Sequence, residues 1–277
     1  WQGGEPTLMG LDFFQKIVKL QKQYQKAGQR IENDLQTNGI LIDDKWAAFL
    51  KEHHFLVGLS IDGPRELHDR YRVTRSGKPT FDKVMEGVAA LKRHGVPFNA
   101  LVTVNRTNAR FPLEVYRFLT RELGATYIQF NPCVEPVDFT RTAPQFWHDD
   151  TIPVTGSRRA KPGDLDSIVT DWSVDPDDWG QFLIAVFEEW VNHDLGRVQV
   201  NLFETAVAQT MGMPAQICVT SEFCGKGLAI EKNGDIYSCD HYVYPEYRLG
   251  NIDDTPLSHM AFSERQQAFG FGKRDTL

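Results

Sequence analysis

Apolar positions recur along the chain in two alternating periods. Phe13, Ile17, Leu20 and Tyr24 fall at helical spacing and predict a first helix with those four side chains on its buried face. A strand is expected near Ile31–Thr37, closing at Asn38-Gly39. Asp43–His54 predicts a second helix, with Trp46, Phe49 and Leu50 on one face at i, i+3 and i+4. Phe55–Asp62 is a mostly apolar run closed by Ser60-Ile61-Asp62-Gly63-Pro64, the pattern of a buried strand and a sharp stop. A third helix places Phe81, Val84, Val88 and Leu91 on one stripe. Phe98–Asn105 is the next strand, Phe111–Leu123 the next helix and Tyr127–Asn131 the strand after it.

From Val134 to Asp175 the periodicity dissolves into a polar, proline-bearing segment, a length usually reserved for functional or mobile loops. His148-Asp149-Asp150 inside it could ligate a metal, but reads first as part of a solvated loop. Asp175-Pro176 then starts a strong helix with Trp179, Leu183, Val186 and Trp190 on its core face, and Val198–Leu202 is a further strand. Strands alternating with helices of ten to fifteen residues imply parallel βα units, here a full or partial βα barrel. No Gly-x-Gly-x-x-Gly nucleotide turn is present.

The chain has 277 residues, with 30 basic against 37 acidic side chains and a net charge of −7, which disfavours nucleic acid or an anionic membrane as partner. No stretch approaches eighteen apolar residues and no basic-then-apolar leader is seen, so a cytoplasmic location is expected. The chain opens at Trp1 with what reads as the end of a strand, and it stops at Leu277 soon after Phe269-Gly-Phe-Gly with no closing element. A fragment cut at both ends is expected.

Cys218, Cys224 and Cys239 are three of only four cysteines. Between the last two, Ala229 to Tyr237 alternates around Asn233-Gly234, a strong signal for a tight β-hairpin. A hairpin folds its ends together, so Cys224 and Cys239 should be neighbours. Thiolates gathered this way suit a soft metal or an iron–sulfur cluster; buried thiols or a disulfide are the alternative. Three thiolates leave one position of a four-ligand site open, and Cys133 is the remaining cysteine.

In βα barrels, chemistry gathers at the C-terminal ends of strands. Those ends carry Gly3-Gly4-Glu5, Thr37-Asn38, Ser60-Ile61-Asp62, Asn105 and Asn131-Pro132-Cys133. Paired glycines let a ligand approach backbone carbonyls, and carbonyls with a carboxylate suit an ammonium group. Gly-Gly-Glu-Pro is also an ordinary turn, and Ser60 and Asp62 are also ordinary strand ends. No Ser/His/Asp or Cys/His hydrolase arrangement stands out.

The ordered set of Gly-Gly-Glu-Pro, the Gln36-Thr-Asn-Gly turn, Ser60-Ile-Asp-Gly-Pro with His68-Asp69 and Arg72, and the cysteine hairpin ending Cys239-Asp240-His241 resembles radical S-adenosylmethionine enzymes with a SPASM-type auxiliary-cluster domain. Within these it is most similar to anaerobic sulfatase-maturating enzymes. The resemblance runs from Trp1 to the region of Leu249-Gly-Asn-Ile252. It implies an α/β fold with a partial (β/α) TIM-like radical SAM barrel over residues 1–205. A small cysteine-bearing SPASM region would follow over 206–277.

The resemblance also implies roles. Gly3, Gly4 and Glu5 match the motif that holds the amino group of S-adenosylmethionine, and Ser60 and Arg72 match positions at its ribose and carboxylate end. Cys133 falls near the slot where backbone atoms meet the adenine, as a packing thiol. Cys218, Cys224 and Cys239 match ligands of an auxiliary [4Fe–4S] cluster, with a fourth ligand beyond Leu277. Asp240 matches the general base, and a carboxylate beside a cluster in a closed pocket should have a raised pKa. Gln2 is open between a peptide contact and a structural place at the strand end.

The implied reaction is oxidation of a cysteine or serine in an unfolded sulfatase polypeptide to Cα-formylglycine. A reduced [4Fe–4S] cluster would cleave S-adenosylmethionine, the resulting radical would take a β-hydrogen, and Asp240 would take the side-chain proton. An electron would leave through auxiliary clusters, and flavodoxin or ferredoxin would be the electron donor. The Cys-x3-Cys-x2-Cys of the catalytic cluster would lie before Trp1 and later SPASM cysteines after Leu277, so the fragment itself is expected to be inactive. Two alternatives remain: a SPASM maturase that forms thioether or carbon–carbon crosslinks, and a non-catalytic peptide-binding scaffold with a structural metal.

Overall fold

In the computed structural model, residues 1–138, 146–148, 151–215 and 217–275 are described. The expected His148-Asp149-Asp150 cluster lies partly outside them. The chain divides into two compact units, Trp1–Val137 with Thr155–Phe203, and Asp138–Val154 with Glu204–Leu277.

The first unit is a partial barrel of parallel βα units. Helix α1 (Leu11–Tyr24) precedes β1 (Asp34–Thr37), and α2 (Asp44–Glu52) precedes β2 (Leu56–Ser60). After the short α3 (Arg65–His68) come α4 (Phe81–His94) and β3 (Phe98–Val104). Helix α5 (Pro112–Arg117) runs into a π turn over Phe118–Glu122, and β4 (Tyr127–Pro132) follows. Helix α6 (Pro176–His193) and β5 (Gln199–Val200) complete the layer. The sheet order is β1-β2-β3-β4-β5, every pair parallel, with Ser60 level with Leu101 and Thr103 level with Asn131. Parallel strands covered by helices bury their apolar runs fully, as Val57, Leu59, Val102, Val104 and Ile128 are here.

Local signals start and stop these elements as the sequence leads one to expect. Asp43 caps α2 by accepting from the Trp46 amide at 2.8 Å, and Asp175 caps α6 by accepting from the Asp177 amide at 2.9 Å. Phe81, Val84, Val88 and Leu91 are all buried on α4.

Two expectations need correction. On α1 the buried residues are Phe14 and Val18, whereas Phe13, Leu20 and Tyr24 are exposed. The helix carries two overlapping apolar stripes. Phe14 is held by edge contacts to Trp46 at 5.4 Å and Phe55 at 6.4 Å, and those contacts choose between the stripes. The strand expected over Val198–Leu202 is cut to Gln199–Val200 because α7 (Asn201–Thr210) starts at once. Phe203 packs on Phe187 and Trp190, a contact that the helical conformation delivers.

The second unit contains an antiparallel sheet of β6 (Ala229–Ile230), β7 (Asp235–Tyr237) and β8 (Arg248–Asn251), in that order. The expected hairpin is present, with a longer turn than Asn-Gly alone implies. The Gly234 amide bonds to the Glu231 carbonyl at 2.9 Å and Gly234 has φ +85°, whereas Asn233 keeps a negative φ. A turn followed by one left-handed glycine therefore replaces the two-residue connection. Helices α8 (Leu257–Ala261) and α9 (Glu264–Asp275) follow. Phe269-Gly-Phe-Gly lies inside α9, so a helix stands where no element was expected.

Candidate functional site

The C-terminal ends of the parallel strands gather the polar residues of the first unit. Gly3 and Gly4 take φ +97° and +55°, which residues with a Cβ rarely adopt, and both are exposed. Glu5 follows, and both of its carboxylate oxygens accept hydrogen bonds. Oε1 accepts from the Thr7 amide (3.0 Å), the Thr7 hydroxyl (2.5 Å) and the Thr37 hydroxyl (2.8 Å), while Oε2 accepts from the Asn38 amide (2.7 Å). Oε1 is thereby saturated, whereas Oε2 takes a single donor. Glu5 therefore fixes the glycine turn to the end of β1.

At the ends of β2, β3 and β4 lies a cleft of about 450 Å³. Asp62, Tyr71, Arg72, Thr103, Cys133, Glu135 and Trp172 line it with Asn105. Arg72 donates from Nε and Nη2 to the two Asp62 oxygens at 2.6 and 3.0 Å, and again from Nη2 to the Thr103 hydroxyl at 3.2 Å. Asp62 is 3% exposed and also accepts from the Thr103 amide at 2.9 Å. Nη1 of Arg72 has no hydrogen-bond partner among the described residues, so one edge of the guanidinium is open, a geometry that can pair with a carboxylate. Ser60 ends β2 beside this cleft's strands but is not part of its lining.

Cys133 follows β4, with its amide on the Val104 carbonyl and its carbonyl on the Val174 amide. Burial pushes its thiol pKa up, and the Glu135 and Asp62 charges push the same way, so it stands as a neutral thiol. Sequence reasoning missed Tyr71, Thr103, Glu135 and Trp172 as part of this cleft. Glu135 and Trp172, joined by an indole N–H to carboxylate bond, come from the segment that showed no periodicity. Only a polar, proline-bearing segment was there to mark them.

In the second unit, Cys218, Cys224 and Cys239 line one cleft of about 790 Å³, with Asp240, Tyr242, Tyr247 and Phe269 among its walls. All four cysteines of the chain are free thiols. Helix α9 ties down each thiol-bearing segment. Lys273 Nζ donates to the Cys218 and Val219 carbonyls at 2.7 and 2.8 Å, and the Cys224 amide donates to the Gly270 carbonyl at 3.1 Å. Gln266 Nε2, on a side chain 3% exposed, bridges the Gly225 and Ser238 carbonyls at 2.9 and 3.0 Å.

Burial raises the Cys239 pKa; the Asp240 carboxylate beside it and the Cys218 charge add to the rise, and the His241 amide opposes it. A cation or cluster would compensate that cost, since thiolate is the ligating form. Three thiols on one cleft, with aromatic walls, thus fit an iron–sulfur cluster. Cys239, Asp240 and His241 also offer ligand atoms within 4.8 Å of one another, a closeness that follows from their being consecutive. The Asp240 side chain is 52% exposed at the rim of the cleft, in place of the closed pocket expected for it.

A parallel βα layer with a ligand-ready strand-end cleft and a separate thiol-bearing unit point to a two-cofactor α/β protein, and comparison with known proteins agrees. Residues 1–119 match the radical SAM superfamily and residues 218–277 the SPASM iron–sulfur cluster-binding domain. The chain belongs to the radical SAM proteins that carry a SPASM domain, in the family of anaerobic sulfatase-maturating enzymes.

It is 43% identical to the serine-type anaerobic sulfatase-maturating enzyme of Bacteroides thetaiotaomicron, over 100% of this chain and 64% of that protein. It is 33% identical to the cysteine-type enzyme of Clostridium perfringens, over 97% of this chain and 66% of that protein. The solved structure of native anSMEcpe with bound AdoMet and Cp18Cys peptide superposes with a TM-score of 0.82 at 33% identity, covering 99% of this chain and 69% of that one. The chain thus spans a little under two thirds of the length of the Bacteroides relative.

Proposed function

We propose that this chain is part of an enzyme that matures sulfatases anaerobically, oxidising a cysteine or serine of an unfolded sulfatase polypeptide to Cα-formylglycine. The observation that carries the reading is the pairing, in one chain, of the strand-end cleft with an unpartnered Arg72 edge and the three-thiol cleft held by α9. Relatives named as serine-type and cysteine-type maturases support it, as does the anSMEcpe structure named for its bound AdoMet and peptide.

In this reading the Gly3 and Gly4 carbonyls, oriented by Glu5, take the ammonium group of S-adenosylmethionine. Arg72 takes its carboxylate, Ser60 the neighbouring ribose end, and backbone near Cys133 faces the adenine. Cys218, Cys224 and Cys239 ligate an auxiliary [4Fe–4S] cluster, and Asp240 accepts the proton released from the target side chain. When bound, S-adenosylmethionine and the clusters supply the radical and electron chemistry, while the protein positions and shields it. A flavodoxin or ferredoxin is the proposed electron donor. A cytoplasmic setting accords with the net charge of −7 and with no described helix being long and apolar enough to cross a membrane.

The test is an anaerobic assay of the reconstituted enzyme with two sulfatase peptides, one carrying cysteine and one serine at the target position. Mass spectrometry should show aldehyde formation, trapped by a hydrazide. A peptide that gains an internal crosslink and no trappable aldehyde would assign the protein to crosslinking maturation instead. A stoichiometric zinc protein lacking sulfide would mark a non-catalytic scaffold.

A further inference from the structure

Arg72 is held from both of its ends by one closed circuit. Its guanidinium donates to the Asp62 carboxylate. The Asp62 amide in turn donates to His68 Nδ1 at 3.3 Å, and His68 Nε2 meets the Thr80 hydroxyl at 3.2 Å. That hydroxyl donates to the Arg72 carbonyl at 2.6 Å, closing the ring.

The proton count fixes the direction of every bond. Thr80 has one hydroxyl proton and spends it on Arg72, so His68 Nε2 must donate to Thr80 and His68 Nδ1 must accept from Asp62. The ring therefore needs neutral His68 with its proton on Nε2. Asn108 Nδ2 adds bonds to the Asp62 and Thr103 carbonyls at 3.1 and 3.0 Å, pinning the ends of β2 and β3 together.

A salt bridge made for stability alone would need none of this. The chain has such a pair at its surface in Arg65 and Asp82, whose side chains are 49% and 71% exposed. In the Arg72 pair the figures are 25% and 4%, so two charges have been desolvated at a cost. The three bonds made by Nε and Nη2 leave both N–H groups of Nη1 without partners among the described residues, on a side chain that lines the strand-end cleft. A flexible arginine is thereby turned into a fixed donor edge, with its ordering entropy already spent before a ligand arrives.

We propose that Asp62 is a positioning residue for S-adenosylmethionine, aiming Arg72 at the ligand's carboxylate, with the His68–Thr80 bridge securing the Arg72 backbone. This rests on the reading that the strand-end cleft takes S-adenosylmethionine.

The test compares binding of S-adenosylmethionine with that of its decarboxylated analogue to the anaerobically reconstituted holoenzyme, by equilibrium dialysis. The natural enzyme should prefer the carboxylate-bearing ligand. Asp62→Asn, with iron content and circular dichroism unchanged, should weaken S-adenosylmethionine about tenfold, the loss of one well-made charged contact. It should leave the analogue within about twofold.

Equal weakening of both ligands would make Asp62 a general structural residue and overturn the proposal. If Asp62→Asn does not fold, Thr80→Val removes the bridge and keeps the ion pair. It should cost a few-fold for S-adenosylmethionine alone, and no selective loss overturns the proposal. Arg72→Gln separates the two levels. If it leaves the preference between the ligands intact, the assignment of the cleft itself is wrong; if it abolishes the preference while Asp62→Asn does not, only the positioning role fails.

Discussion

Gly270 of α9 lies directly against Cys224. A Cβ built on Gly270 would stand 2.9 Å from the Cys224 carbonyl oxygen, and the Cys224 amide donates to the Gly270 carbonyl at 3.1 Å. The glycine is a poor helix former, yet the position has room for nothing larger, because the neighbour it meets is backbone. Gly270→Ala should gain helix propensity and still shift the Cys224 segment. The expected outcome is lower iron and sulfide content after anaerobic reconstitution, with the helical circular dichroism signal retained. Gly180 of α6, which also has nothing within 4 Å of an added Cβ and lies in the other unit, is the internal control: Gly180→Ala should leave the iron content unchanged.

The four thiols should separate cleanly by substitution. Cys218, Cys224 and Cys239 share one cleft of the second unit, whereas Cys133 lies in the first unit at the end of β4. Replacing any one of the three with serine should lower bound iron and the broad charge-transfer absorption of the cluster. Cys133→Ala should leave both unchanged. Chelation of the auxiliary iron should abolish that absorption without melting the first unit, since the latter's core of Leu59, Val102, Ile128 and Trp190 is apolar and complete without it.

Glu5 should behave as a structural acceptor. In Glu5→Gln an amide NH2 must face one of four donors, the Thr7 amide and hydroxyl, the Thr37 hydroxyl or the Asn38 amide. A donor turned on a donor costs about 1–3 kcal/mol. The denaturation midpoint should fall accordingly, even in protein that holds no S-adenosylmethionine.

His68 should make stability fall in mild acid. It is 0% exposed, and burial, the largest influence, together with the Arg72 charge lowers its pKa from 6.5 to about 4 against the opposing pull of Asp62 and Asp69. The unfolded chain takes up a proton near pH 6.5 that the native state refuses until about pH 4. The stabilisation is therefore whole above pH 6.5 and is lost as pH falls toward 4, by up to ~3 kcal/mol at ~1.4 kcal/mol per unit. Urea unfolding at several values across that window should show the loss, and His68→Gln should flatten the slope even if it lowers stability at neutral pH. An equal slope in the variant would remove His68 as the source.

Local pattern determined much of this protein. Short apolar runs between helices marked β2, β3 and β4, the stripe of Phe81, Val84, Val88 and Leu91 marked the buried face of α4, and Asp43 and Asp175 marked two helix starts, because each signal is complete within a few residues. Cys224 and Cys239 were placed together by the hairpin between them, and the family was legible in the order of its motifs.

Tertiary structure alone decided the rest. Which of two stripes on α1 is buried depends on Trp46 and Phe55, distant in sequence. Helix α9 was hidden by its own glycines, and the reason for one of them, Gly270, is the Cys224 backbone far upstream. The bonds from Thr37 and Asn38 to Glu5, and the closed ring through Asp62, His68, Arg72 and Thr80, join residues that no period relates. A repeating pattern reports which way a side chain faces. Whether a polar group finds its partner is settled only when separate strands and helices bring both groups to one place.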